Sequence, residues 1–407
     1  MPEAQPSIEG VRGFRAAGVQ SGIKKSGALD FALIVSDRPC SASGVFTTSY
    51  VKAAPVLVDM EHLSLRAGSI RAVVTNSGCA NACTGQQGMD NARQMARLTA
   101  DKIDCAEQDV LVLSTGVIGV QLPMDKIERG INLALDTPED DWFAAARAIM
   151  TTDTRPKMAS VTVTTSSGQS YRIAGICKGA GMIAPNMATM LSVVVTDAQL
   201  TPEQTRSALK AAAKISYNCI VVDGDTSTND TVFLLANGAS GAAPQSETDL
   251  AQFQEALDTV CTKLAQDVVR DGEGVTKFIT VRVEGAPDDA AARQIANTVA
   301  ISPLVKTAFY GNDANWGRIL MAAGRAGVPF DQNRVSLWFA PGEAFEEPLQ
   351  LVADGMPLNY SETQATAIIS QPSVGILLNC GAGAGAATVW TCDFSHEYVS
   401  INADYRT

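Results

Sequence analysis

Short runs of branched apolar residues recur along the chain and alternate with stretches of helical period. This alternation limits the fold more than any other feature, because it demands an α/β protein. RAVVTNSG (71–78) reads as a buried strand ending in a turn. DVLVLSTGVIG (109–119) reads as another, after which Pro123 opens a predicted helix to about Leu135. VTVTTSSGQSYRIAGI predicts a hairpin around Ser166-Ser167-Gly168. MLSVVVTDA (190–198) predicts a strand buried on both faces. Residues from Pro202 to about Ser216 favour helix. In the next helix, Leu250, Phe253, Leu257, Val260, Leu264 and Val268 follow three- and four-residue spacing, with Asp249 and Gln252 predicted as its cap. A strand at Phe278–Glu284 follows, and Gly285-Ala286-Pro287 suggests a structural boundary near residue 285. The stretches 241–250 and 339–348 read as loops, and the end of the chain, from ATVWTC onward, as a strand and a tail.

The 407 residues are 46% hydrophobic and 18% charged, so a substantial core can be buried. A net charge of -12 argues against nucleic acid or an anionic membrane as partner, since both attract positive patches. No apolar stretch approaches the roughly 20 residues that span a bilayer. The N-terminal residues show no basic segment followed by an apolar run, so a cytoplasmic protein is expected. The nine cysteines (Cys40, Cys79, Cys83, Cys105, Cys177, Cys219, Cys261, Cys380 and Cys392) are scattered and often sit in apolar runs, which predicts reduced, buried thiols. Cys79 and Cys83 lack the second Cys or His pair of a zinc site, so no metal is expected.

Only two histidines exist, His62 and His396. Imidazole-based triads and multi-histidine metal sites therefore have little to draw on. His62 reads as an exposed turn or helix start, and both histidines as structural. An enzyme here needs another proton acceptor. A threonine at a newly made N-terminus carries one, because its α-amino group has a pKa of about 7.7–8.0 and can take the proton from the hydroxyl of the same residue. KGAGMIAPNMATMLSVVVTDA (178–198) suits this chemistry: a glycine-rich approach leads to Ala188, Thr189 and a buried strand. Residue physics alone does not select this site and favours reading Thr189 as an ordinary threonine at the start of a strand.

KGAGMIAPNMATML resembles the self-cleavage motif of the ornithine acetyltransferase family, also called glutamate N-acetyltransferase. The likeness continues in family order through TNSGCANACTG (75–85), STGVIG (114–119), MTTDTRPK (150–157), VVDGDTSTNDT (221–231), RDGEGVTKFITV (270–281), YGNDANWGRI (310–319) and YVSINADYRT (398–407). It implies scission between Ala188 and Thr189, giving an α chain (1–188) and a β chain (189–407) paired as α2β2. It further implies a layered α/β sandwich like that of N-terminal-nucleophile enzymes, with a smaller C-terminal α/β domain. Thr189 would be the nucleophile, and Thr115 and Gly116 the groups that stabilise the oxyanion. Thr151, Lys178, Glu273, Asn402 and Thr407 would bind substrate together with Thr189, so that the tail 398–407 returns to the active site. The implied reaction is a ping-pong transfer of acetyl from N2-acetylornithine to glutamate in cyclic arginine biosynthesis. No cofactor is implied, and acetyl-CoA is an optional second donor. Lys178 and Glu273 suit a carboxylate and an ammonium, with their pairing left open. Two departures stand out: Cys79 occupies a position where asparagine is more usual, and NCGAGAGAATVW is unusually rich in glycine and alanine.

Other readings compete. An aminopeptidase or amidase on the same scaffold would resolve the acyl-enzyme with water. VGILLNCGAGAGAA imitates a dinucleotide fingerprint, but the roughly twenty residues after it leave no room for a βαβ unit. IVVDGDTS imitates a magnesium-dependent phosphatase with Asp223 as nucleophile and Asp225 as acid. A non-catalytic, oligomer-building role suits DGDTSTND better, because Asp, Ser and Thr readily fix turns.

Overall fold

The computed structural model describes residues 7–8, 10–137, 140–184 and 190–404. The chain forms two compact units, Met1–Asn218 with Asp225–Val268, and Cys219–Gly224 with Val269–Thr407. The passage at 268–269 precedes the punctuation at Gly285-Ala286-Pro287.

In the first unit the elements run β1 (Phe14–Val19), β2 (Phe31–Phe46), α1 (Ala54–Arg66), β3 (Ile70–Cys79), α2 (Gly85–Ile103), β4 (Val110–Val117), α3 (Met124–Asp136), α4 (Trp142–Ala148), β5 (Lys157–Thr164), β6 (Ser170–Lys178), β7 (Leu191–Thr196), α5 (Pro202–Ile215), β8 (Thr231–Ala236) and α6 (Glu247–Arg270). The strands form one sheet in the order β4-β3-β2-β8-β7-β6-β5, with β1 paired to β2. β2 is the bridge: Phe31–Val35 pair with β3, whereas Ser41–Phe46 pair with β8. β3–β4 and β7–β8 are parallel, and β5–β6 is the expected hairpin.

Both faces of this sheet are covered. Side chains alternate across a strand, and here the alternation sorts them into two cores. Phe31, Leu33, Ala72, Val74, Val110 and Val112 join a cluster with residues of α1, α2 and α3. Ala32, Ile34, Val73, Leu111 and Leu113 join another with Trp142 and Ala145 of α4. β7 is buried at every position, as its apolar run predicts. The result is the layered α/β sandwich expected.

Two local expectations fail here. His62 is no surface residue. It lies within α1, buried, with Nδ1 2.8 Å from the Val110 carbonyl oxygen. It shares the inner face of α1 with Asp59, whose Oδ1 accepts from Val112 N, so two polar side chains dock the helix on β4. The cap of α6 is also not Asp249 with Gln252. The helix starts earlier, and Ser246 makes the reciprocal cap: its Oγ accepts from Asp249 N and donates to Asp249 Oδ2. Asp249 spends its other bonds on Ser166, accepting from N and Oγ at the tip of the β5–β6 hairpin.

In the second unit follow β9 (Phe278–Ala286), α7 (Asp289–Ala300), α8 (Pro303–Tyr310), α9 (Trp316–Gly324), β10 (Ser336–Pro341), β11 (Leu349–Ala353), β12 (Met356–Pro357), α10 (Glu362–Ile369), β13 (Ser373–Asn379), β14 (Gly385–Cys392) and α11 (His396–Ala403). The sheet order is β12-β11-β10-β13-β9-β14. One core joins this sheet with α7, α8, α9 and α10, and takes in Val221. The stretch after β14 is a helix rather than a plain tail. The glycine-rich segment connects β13 to β14: a Cβ at Gly385 would lie 2.1 Å from the Asp288 carbonyl carbon, so the missing side chain permits close backbone packing.

Candidate active site

The ends of β3 and β4 build the first part of the site. The two strands run in register, Asn76 beside Ser114, Ser77 beside Thr115 and Gly78 beside Gly116. Ser114 Oγ donates to Asn76 Oδ1 at 2.6 Å, and Asn229 Nδ2 donates to the carbonyls of Ser114 (2.8 Å) and Ala80 (2.7 Å). This lattice sets the turn that carries Thr115 and Gly116. Gly116 has φ +129°, a conformation that disfavours any side chain. Cys79 pairs with Thr115 in the same ladder and is buried, its Sγ donating to the Val120 carbonyl. The departure from asparagine therefore adjoins the Thr115 turn rather than lying apart from the site residues.

The end of β6 brings in Lys178, which is buried. Its Nζ donates to Thr151 Oγ1 at 2.9 Å and to Thr115 Oγ1 at 3.3 Å. An ammonium only donates, so both hydroxyls must accept and each keeps its own O–H as a donor. Three of the residues singled out by resemblance, Thr115, Thr151 and Lys178, thus meet in the first unit. Its hydroxyl donors can face a developing negative charge, with a buried cation behind them.

Three charged groups that the sequence reading passed over, Asp153, Lys157 and Lys24, surround this centre. Asp153 accepts from Lys157 Nζ (2.6 Å), Gly179 N (2.7 Å) and Thr151 N (3.0 Å). Burial opposes its charge, but the ammonium groups of Lys178 and Lys157 hold the carboxyl below the usual carboxylate range. Lys24 donates to the carbonyls of Leu29 (2.9 Å) and Met150 (2.8 Å). Burial pulls its ammonium down to about 8 against the pull of Asp30 and Asp153, and Lys178 pushes the same way as burial. The signal for Asp153 and Lys157 was present in MTTDTRPK, where opposite charges stand four residues apart just before a strand.

Ala188 and Thr189 lie outside the described residues, as does Thr407. The next residue, Met190, is described: its backbone N donates to Asp230 Oδ1 at 3.0 Å. Asp230 is buried, which raises its carboxyl well above the ordinary range.

In the second unit, Asn402 on α11 donates from Nδ2 to Glu273 Oε2 at 2.8 Å, so the other two described candidates also meet. α11 is tied down by Tyr398 Oη, which donates to Asp223 Oδ2 at 3.2 Å, and by Ser395 Oγ, which donates to the Gly274 carbonyl at 2.6 Å. Asp223 thus holds a helix. Among the described residues no group of three His, Cys, Asp or Glu is arranged to hold a metal, and the phosphatase reading finds no support. His396 is exposed at the start of α11 and stacks edge-on against Tyr310.

Hydroxyls and an ammonium converging beside a glycine turn make up the equipment of an acyl-transfer enzyme. A model described as the ArgJ family matches residues 15–407. A protein of Thermotoga neapolitana called arginine biosynthesis bifunctional protein ArgJ is 49% identical over 398 residues, covering 97% of this chain and 99% of its own. One of the same name from Chlorobaculum tepidum is 48% identical over 408 residues, covering 99% of each. A solved structure of the ArgJ protein of Bacillus halodurans aligns with 53% of this chain and 99% of its own at 39% identity, with a TM-score of 0.49. The chain belongs to the ArgJ family.

Proposed function

We propose that this acetyltransferase of arginine biosynthesis works through a covalent acetyl-Thr189. Thr189 Oγ attacks the Ala188 carbonyl, the N-to-O acyl shift breaks the peptide C–N bond and frees the Thr189 amine, and water then cleaves the ester to release the Ala188 carboxylate and restore the Thr189 hydroxyl. The amine then takes the hydroxyl proton as Thr189 attacks the acetyl carbonyl of N2-acetylornithine. Ornithine leaves, glutamate attacks the acetyl ester, and N-acetylglutamate departs. Thr115 and Gly116 meet the oxyanion, while Lys178, Thr151, Glu273, Asn402 and Thr407 bind the amino-acid substrates.

The observation that carries the reading is the buried Lys178 ammonium bonded to the hydroxyls of both Thr115 and Thr151. It leaves the Thr115 O–H as a donor toward the oxyanion beside a fixed positive charge, and the Thr151 O–H as a donor toward substrate. We extend the proposal to acetyl-CoA as a second acetyl donor, on the bifunctional designation that the relatives carry, and to an α2β2 assembly of the cleaved chains. The nine cysteines are reduced thiols, seven of them buried, with Cys83 exposed and Cys105 half-buried, which supports a reducing compartment such as the cytoplasm. Among the described residues no helix is long and apolar enough to cross a membrane.

Denaturing mass spectrometry of the purified protein is the direct test. Two fragments meeting at Ala188/Thr189 are expected, and a single chain in Thr189→Ala. A wild-type chain that stays whole, or acetate released in place of N-acetylglutamate, would refute the scheme, the second result favouring an amidase. Labelled acetyl-CoA as sole donor measures the second activity, and native mass spectrometry the assembly.

A further inference from the structure

One ion pair beside the site is fully enclosed and takes no part in the chemistry above. The side chains of Asp153 and Lys157 are 0% and 1% exposed. A buried ion pair gives little net stability over apolar residues of similar volume, so packing does not account for it. Its bonding points elsewhere. Asp153 Oδ2 accepts from Thr151 N, and Oδ1 accepts from Gly179 N. Thr151 carries the hydroxyl that receives the Lys178 ammonium. Gly179 is the residue directly after Lys178. A single carboxylate therefore grips the backbone at the lysine and at its acceptor. The two ends of the Lys178–Thr151 bond are held to one rigid group, and the ammonium groups of Lys178 and Lys157 keep that group ionised inside the protein.

We propose that Asp153 is a positioning residue, which holds the Lys178 ammonium against the Thr151 and Thr115 hydroxyls through the backbone N–H groups of Thr151 and Gly179. The idea rests on the acetyl-transfer reading of those three side chains. It adds a specific demand: the length of the carboxylate arm matters, and not only its charge. Asp153→Glu keeps the charge opposite Lys157 but moves both oxygens. The pair Asp153→Asn with Lys157→Met removes both charges and leaves neither partner stranded.

The full-length variants are compared by thermal midpoint, by extent of scission, and by kcat/KM for ornithine release from N2-acetylornithine per cleaved chain. Asp153→Glu and the double variant are expected to keep the wild-type midpoint while kcat/KM falls about 10- to 100-fold, the scale of a 1 Å misplacement. Wild-type kcat/KM in either variant would overturn the proposal and leave the pair as plain structure. So would a collapse of midpoint and activity together in both, because stability would then explain the loss. Lys178→Met serves as the reference. Undiminished turnover there removes the underlying reading of the site, a failure separate from that of Asp153.

Discussion

The backbones of Gly116 and Gly78 approach so closely that a Cβ on Gly116 would lie 2.4 Å from the Gly78 carbonyl carbon and 2.6 Å from Cys79 N. Both glycines have positive φ, +129° and +102°. The parallel strands β3 and β4 thus end in side-by-side glycine turns, and these aim Ser77 and Thr115 in different directions. Ser77 Oγ donates to the Ala148 carbonyl at 2.6 Å, whereas Thr115 faces Lys178. The turn is shaped by what its glycines lack.

Replacing Gly116 by alanine adds both a clash with backbone and a forbidden conformation. The conformation alone costs roughly 1–3 kcal/mol, and backbone atoms cannot swing aside as a flexible side chain can. Gly116→Ala is expected to lower the urea midpoint and to abolish acetyl transfer. Thr115→Val keeps the shape and deletes only the hydroxyl. Its kcat is expected to fall by about 10²–10³-fold, the usual cost of one oxyanion donor, with the urea midpoint little changed. Equal loss of stability in both variants would mean that the Thr115 hydroxyl serves the fold.

Asp59 makes stability depend on pH. Burial raises its carboxyl well above the ordinary range, and the Val112 N–H that Oδ1 accepts only partly offsets this. Oδ2 has no partner among the described residues. Its folded pKa exceeds the unfolded value of about 3.9, so the folded state binds the proton more tightly. The stability it supports is complete below the unfolded pKa and is lost as pH rises through the folded one, by at most about 1.4 kcal/mol per pH unit. Asp59→Asn should remove that slope. The difference between wild-type and variant urea midpoints is therefore expected to widen in favour of the variant from pH 5 to pH 8. A constant difference would show that Asp59 is ionised in the folded protein.

Much of the first unit was legible because its strands are nearly pure apolar runs. β3, β4, β7 and the β5–β6 hairpin stand where RAVVTNSG, DVLVLSTG, MLSVVVT and the Ser166-Ser167-Gly168 turn place them. What stayed hidden depends on partners distant in sequence. His62 looks like a surface residue in VDMEHLSL because a single polar residue carries no sign of the Val110 carbonyl waiting for it. Asp153 looks like a solvated loop charge until β6 delivers Gly179 N to it. Thr115, Thr151 and Lys178 were found through resemblance, since nothing in their local composition announces that they meet.

The cap of α6 shows the same limit and yields a further prediction. Asp249 matches a capping pattern with Gln252, yet Ser246 three residues earlier matches with Asp249 itself, and the hairpin tip at Ser166 decides between them. Ser246→Ala removes a cap, worth about 1 kcal/mol. Asp249→Ala keeps the cap bond from its backbone N, but removes the Ser246 Oγ bond to Oδ2 and both bonds to Ser166. It is expected to speed protease cleavage at the Ser166-Ser167-Gly168 turn, where Ser246→Ala leaves the rate near wild type. Equal rates in the two variants would show that Asp249 does not restrain the hairpin.

Glu273 and Asn402 separate charge from hydrogen bonding. Asn402 Nδ2 donates to Glu273 Oε2 at 2.8 Å. Glutamine at position 273 can still accept that bond through its amide oxygen, so α11 stays docked through Asn402 as well as through Tyr398 and Ser395. What disappears is the negative charge. If that charge meets a substrate ammonium, a hydrogen bond to a charged group is lost, worth roughly 1.5–3 kcal/mol. Glu273→Gln should then raise KM for N2-acetylornithine by about 10- to 100-fold while scission at Ala188/Thr189 proceeds to completion. Asn402→Asp reverses the test: it sets a carboxylate against Glu273, and the repulsion should loosen α11 and speed amide hydrogen exchange over 396–403. A wild-type KM in Glu273→Gln would remove Glu273 from the substrate's contacts and leave it the role of holding Asn402.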